Sequence, residues 1–192
     1  SRLGLNLIDA PLFTEDGLVW IHRDQLSALF TGVKASGVLG AVLVGILAGL
    51  GGRSMAWLVR WAKGISKQTN AVTRVLIGGS FLAVLAVAAD ALFDAPLTIG
   101  PGFRAMEWVV SPDHGLGLIA LLFGLRIAAT VVTLTAGGVG GLFIPLAVQG
   151  VILGSFVGAM VHTDRPGLYP ILGLAAFLGA GYRAPISAVM FV

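Results

Sequence analysis

The chain has 192 residues, 57% of them hydrophobic and 11% charged, against about 25% charged in soluble domains. With a mean hydropathy of +0.96, this excludes an ordinary soluble domain and marks an all-α integral membrane protein. The absence of cysteine excludes disulfides and thiolate metal sites, and the net charge of +3 reports membrane orientation rather than a nucleic-acid partner.

Residues 1–33 are mixed in character. Asp9, Glu15, Asp16, Arg23 and Asp24 make this an interfacial segment, with Trp20 as a headgroup anchor. Asp24 is placed to cap a short helix running to Lys34. No signal peptide is visible at Ser1-Arg2-Leu3-Gly4. The start without Met and the apolar end, Ala188 to Val192, predict a fragment of a longer protein.

Residues 35–52 carry no charge and form the first span, in which Gly45 and Gly49 either make a small-xxx-small pair for close helix packing or equally reflect the richness of a chain with 28 glycines. Arg53, Arg60, Lys63, Lys67 and Arg74 follow without an acid among them, with Trp57 and Trp61 interleaved. A lipid or nucleic-acid patch would carry such charges. The positive-inside rule instead predicts a cytoplasmic loop over 53–74. Residues 75–89 are apolar. From 90 to 113 the acids Asp90, Asp94, Glu107 and Asp113 outweigh Arg104, as in a solvated loop, and Gly100-Pro101-Gly102-Phe103 breaks the chain before a short helix over 104–110.

Residues 115–135 are apolar except for Arg126. A charge inside a span faces the protein interior. Arg126 therefore either attracts an ion or has a structural role, pairing with a carboxylate or with carbonyls at a broken helix end, and the structural role is preferred. The longest uncharged run, 127–161, exceeds the roughly 20 residues of one crossing. At its centre stand Gly137, Gly138, Gly140 and Gly141, then Pro145. Two helical pieces joined by irregular backbone are expected, with a new helix starting near 142–145. Such backbone survives at membrane depth where it is covered by protein or lines a cavity. A helix start there offers N–H groups and a positive dipole end to an anion. The alternative is that the glycines only let helices approach.

Gly150, Gly154 and Gly158 then repeat along one helix face, predicting close packing. His162 to Gly167 reads as a turn, with His162 at the interface. Residues 168–182 form another apolar piece, interrupted by Arg183-Ala184-Pro185 before a last helix from Ile186. Short, broken spans are a signature of transport proteins with sites near the midplane.

The ordered set of motifs resembles the CLC family of chloride channels and chloride/proton exchangers. The family's G-x-F-x-P motif stands here as Gly141-Leu142-Phe143-Ile144-Pro145. Gly179 to Ile186 resembles its segment ending in R-A-P, Arg126 matches an arginine in the helix leading into G-x-F-x-P, and Gly100 to Phe103 resembles a G-x-G-F segment. The resemblance covers roughly residues 33–192. It implies a bundle of tilted and broken helices forming most of the second of two inverted repeats, with 1–192 a single transmembrane domain. It further implies a homodimer with one pore per subunit in the cell membrane, and a multi-pass channel or chloride/proton antiporter rather than an enzyme. Chloride is then the substrate, with a proton as a second ion in exchangers and no cofactor.

Carried over residue by residue, the backbone N–H groups of Phe143 and Ile144 bind the anion. Gly141 permits its approach, Leu142 belongs to the same turn, and Pro145 fixes the helix start. Arg126, Arg183 and Gln149 line or support the pathway; Gln149 stands where an aliphatic residue is usual, and Val139 where a small polar residue or proline is. The family's serine motif, gating glutamate and pore tyrosine have no match in this chain. Two other readings stay open: an unrelated secondary transporter with a broken-helix anion site, and a structural half-domain that moves no ion itself.

Overall fold

The computed structural model describes residues 10–14, 17–21, 35–68, 70–111, 114–138, 141–161 and 167–182. Contacts divide the chain into two units, residues 1–38 and residues 39–192.

In the first unit, strands β1 (Ala10–Thr14) and β2 (Gly17–Ile21) pair antiparallel, with Ala10 opposite Ile21 and Thr14 opposite Gly17. The interfacial segment expected here thus contains a hairpin. The short helix expected from Asp24 to Lys34 lies outside the described residues.

The second unit is helical. Helix α1 (Ala35–Gln68) is followed by α2 (Ala71–Phe93), α3 (Phe103–Val110), α4 (Leu116–Thr135), α5 (Phe143–Val161) and α6 (Leu168–Tyr182). Among the described residues, α1, α2, α4 and α5 are long and apolar enough to cross a membrane. In this unit the all-α membrane architecture expected from composition is present.

Three expectations need correction. Residues 53–68 are not a loop: α1 runs unbroken to Gln68, about 50 Å at 1.5 Å per residue. Gly51 and Gly52 do not break it because their bare faces are occupied. A Cβ at Gly51 would lie 2.6 Å from the Phe177 ring, and one at Gly52 2.7 Å from Ala180 Cβ. Second, Gly45 and Gly49 do not pack within this chain; among the described residues nothing lies within 4 Å of a Cβ at either position. The buried face of α1 instead carries Val44, Ala48, Met55, Val59 and Ala62. Third, the acids of 90–113 do not share one loop. Asp90 sits in the last turn of α2 and Glu107 in α3, while Asp94 closes α2 in the left-handed region at φ 53°.

Helix α5 is the central element, with 67% of its span buried against 17% for α2. Its first turns belong to one apolar cluster with Met55 and Val59 of α1, Leu134 of α4 and Phe177 of α6. Val148, Val151 and Ile152 pack on Phe93 of α2, Val109 of α3 and Leu122 of α4. The glycine stripe works as expected. A Cβ at Gly150 would lie 2.5 Å from Gly173 O, one at Gly154 would strike Tyr169 O, and one at Gly158 would lie 3.1 Å from Tyr169 Cβ. Helices α5 and α6 therefore meet backbone to backbone.

Candidate anion site

The site is built where α4 stops. Thr130 and Thr133 hydroxyls donate back to the carbonyls of Arg126 and Ala129, at 2.9 and 2.8 Å, which satisfies them inside an apolar helix. The helix then ends in a Schellman motif. Gly138 N–H donates to Thr133 O at 2.9 Å and Gly137 N–H to Leu134 O at 3.2 Å, with Gly137 left-handed at φ 92°. Positive φ at this capping position is what requires glycine.

After the glycine turn the chain enters α5 at Phe143. The first bond of this helix runs from Leu146 N–H to Leu142 O at 3.0 Å. The N–H of Ile144 lies in the turn before it, where the helix supplies no acceptor, and Pro145 has no N–H to offer. No acid occupies this first turn, so no carboxylate competes for the positive dipole end. Among the described residues nothing lies within 4 Å of where a Cβ at Gly141 would stand.

This helix start borders a cavity of about 370 Å³. Gly141, Leu142, Ile144 and Pro145 line it, as do Arg126 and Gln149. Phe143 does not: its ring lies 6.4 Å from that of Tyr182 and packs on the apolar cluster shared by α1, α5 and α6. The fold thus gathers at one cavity six of the eight residues singled out above. Arg183 lies outside the described residues.

Arg126 is 7% exposed. Its Nη1 donates to Thr98 O at 3.1 Å and Gly100 O at 3.3 Å, in the loop between α2 and α3. Its Nε and Nη2 have no partner among the described residues. Room for the guanidinium exists because Gly102, left-handed at φ 100°, has no Cβ; one there would strike Nη2 and lie 2.5 Å from Val148 Cγ2. The same loop is anchored by Thr98, whose hydroxyl donates to Leu85 O at 3.1 Å. Gln149 is 1% exposed, and its Oε1 accepts no hydrogen bond from the described residues.

Sequence reasoning missed the part of the lining made by Ile99, Gly100 and Pro101. The glycine break was visible there, but nothing local said which helix it faced. Among the described residues no group of three or more His, Asp or Glu side chains is placed to hold a metal. With this geometry in place, a comparison with known families matches residues 18–192 to the family described as voltage gated chloride channel.

Proposed function

Because this chain belongs to the voltage gated chloride channel family, a family of chloride channels and transporters, we propose that it moves chloride across the cell membrane and holds the anion at the first turn of α5. The chain is a multi-pass integral membrane protein, with four helices of spanning length among its described residues. One observation carries the proposal: the first turn of α5, free of acid, opens on a cavity whose wall also contains the buried cation of Arg126.

Chloride needs donors rather than a fixed pairing partner. Backbone N–H groups and a helix dipole supply partial charges that attract the ion and still release it, as conduction through several weak sites demands. A contacting lysine would bind too tightly in a dry site. Arg126, turned toward the carbonyls of Thr98 and Gly100, adds its field to the cavity and braces that part of its lining. Gln149 sits farther along the same cavity, where its amide bears on which anion is preferred. The working unit in this reading is a homodimer with a pore in each subunit. Chloride is its substrate and no cofactor takes part.

The test is chloride efflux from vesicles containing the protein, with internal pH recorded. Ile144→Pro removes one N–H while keeping a backbone angle that a first helical turn accepts; Ile144→Val keeps the N–H. We expect the proline variant to lose about tenfold or more in flux, the worth of one hydrogen bond to a charge, and the valine variant to stay near wild type. A folded proline variant with unchanged flux and unchanged chloride-to-nitrate ratio overturns the site. Efflux that drives protons uphill identifies an exchanger; efflux without protons identifies a channel.

A further inference from the structure

We propose that Arg74 is a positioning residue for this anion site, acting through the glycine turn that leads into α5. The inference rests on the reading of α5 as the anion-binding helix.

In the sequence Arg74 closes a run of cations, but its surroundings set it apart. Arg53, Arg60 and Lys63 are exposed on α1, whereas Arg74, in the first turn of α2, is half-buried. Its Nε donates to Ala136 O at 3.1 Å, across 62 residues. Its Nη1 donates to Ser66 O. Ala136 caps the C-terminus of α4 and Ser66 lies in the last turn of α1. Carbonyls at these positions have no acceptor role within their own helices and stand at negative dipole ends. One guanidinium thus fastens two helix C-termini.

It also lies against the turn itself. A Cβ at Gly137 would fall 2.6 Å from Arg74 Nη2 and 3.0 Å from its Cζ and Nε. The planar group packs on the face that Gly137 leaves bare. One turn farther along α2, a Cβ at Gly78 would fall 2.5 Å from Ala136 Cβ, so α2 grips the same cap at a second point. Gly137 and Gly138 have much backbone freedom to lose, and the start of α5 lies only a few residues on. Fixing Gly137 holds the adjacent Gly138, which lines the same cavity as Gly141 and Ile144. Lysine carries the charge without the fork and cannot reproduce both bonds in one geometry.

The experiment measures chloride flux per folded protein in vesicles for Arg74→Gln, Arg74→Lys, Gly137→Ala and the Arg74→Gln/Gly137→Ala pair. Arg74→Gln is expected to raise the chloride concentration at half-maximal flux by about tenfold and to shift the chloride-to-nitrate ratio, with partial recovery in Arg74→Lys. Gly137→Ala is expected to do the same alone and to add less beside Arg74→Gln, because the shorter side chain removes the clash. Lower thermal stability with half-saturation and anion ratio unchanged, in Arg74→Gln or in Arg74→Lys and Gly137→Ala should the first not fold, reduces Arg74 to a support of the fold and overturns the inference. If Ile144→Pro loses flux while these variants do not, only the role of Arg74 fails. If Ile144→Pro is silent as well, the anion site itself fails.

Discussion

Arg126 shows how much of this site depends on a residue that is not there. Its guanidinium lies in space that a side chain at position 102 would fill, and Gly102 also holds a positive φ. Gly102→Ala therefore meets a steric and a conformational penalty together. It is expected to destabilise the folded protein by about 1–3 kcal/mol, read as a lower unfolding midpoint in detergent, with Arg126 displaced from the Thr98 and Gly100 carbonyls. Arg126→Leu is a different change, leaving those carbonyls unpaired without crowding Val148. Arg126 was legible as an interior charge because a charge within an apolar span must face protein. Its carbonyl partners were not legible, since they lie 28 and 26 residues away and no local pattern encodes that distance.

Helices α5 and α6 meet backbone against backbone. Gly150, Gly154 and Gly173 leave no space between Cα traces, and the atoms that a side chain would strike are backbone atoms, which cannot swing aside. Gly154→Val is expected to cost about 3 kcal/mol or more, at the upper end of overpacking, and to separate α6 from α5. Gly45→Ala on α1, facing open space, is expected to be neutral or slightly stabilising through helix propensity. Comparing unfolding midpoints of the two variants in one detergent checks both; equal effects would contradict the packing. The repeat 150–154–158 announced its role through spacing, yet Gly45 and Gly49 show the same spacing without it. Which small-residue face meets a partner depends on the neighbouring helix.

The helices are arranged around α5, the element through which all three apolar clusters run. Its residues are mostly enclosed, whereas much of α2 is turned outward. Ile152, fully buried, and Ile77, 64% exposed, give the contrast. Ile152→Ala is expected to lower unfolding free energy by about 2–5 kcal/mol, and Ile77→Ala by about 0.5 kcal/mol or less, measured by equilibrium denaturation in detergent. The two side chains are the same by composition; their different worth comes from where α5 and α2 stand.

By itself the sequence determined that this is a helical membrane protein, that the long apolar run from 127 to 161 is broken at its glycines, and that a helix begins beside Pro145. These follow from hydropathy, glycine freedom and proline geometry, which act over a few residues. The family was legible too, in the order of Arg126, the Gly141–Pro145 motif and the later R-A-P segment. Only the tertiary structure decided that α1 runs through its basic stretch, because Phe177 and Ala180 fill the space beside Gly51 and Gly52. Only it brought Arg126, Gln149 and the start of α5 to one cavity, and took Arg74 out of the cationic run to hold the C-terminus of α4. Contacts across tens of residues arise from how whole helices pack, and that packing is a property of all the faces at once.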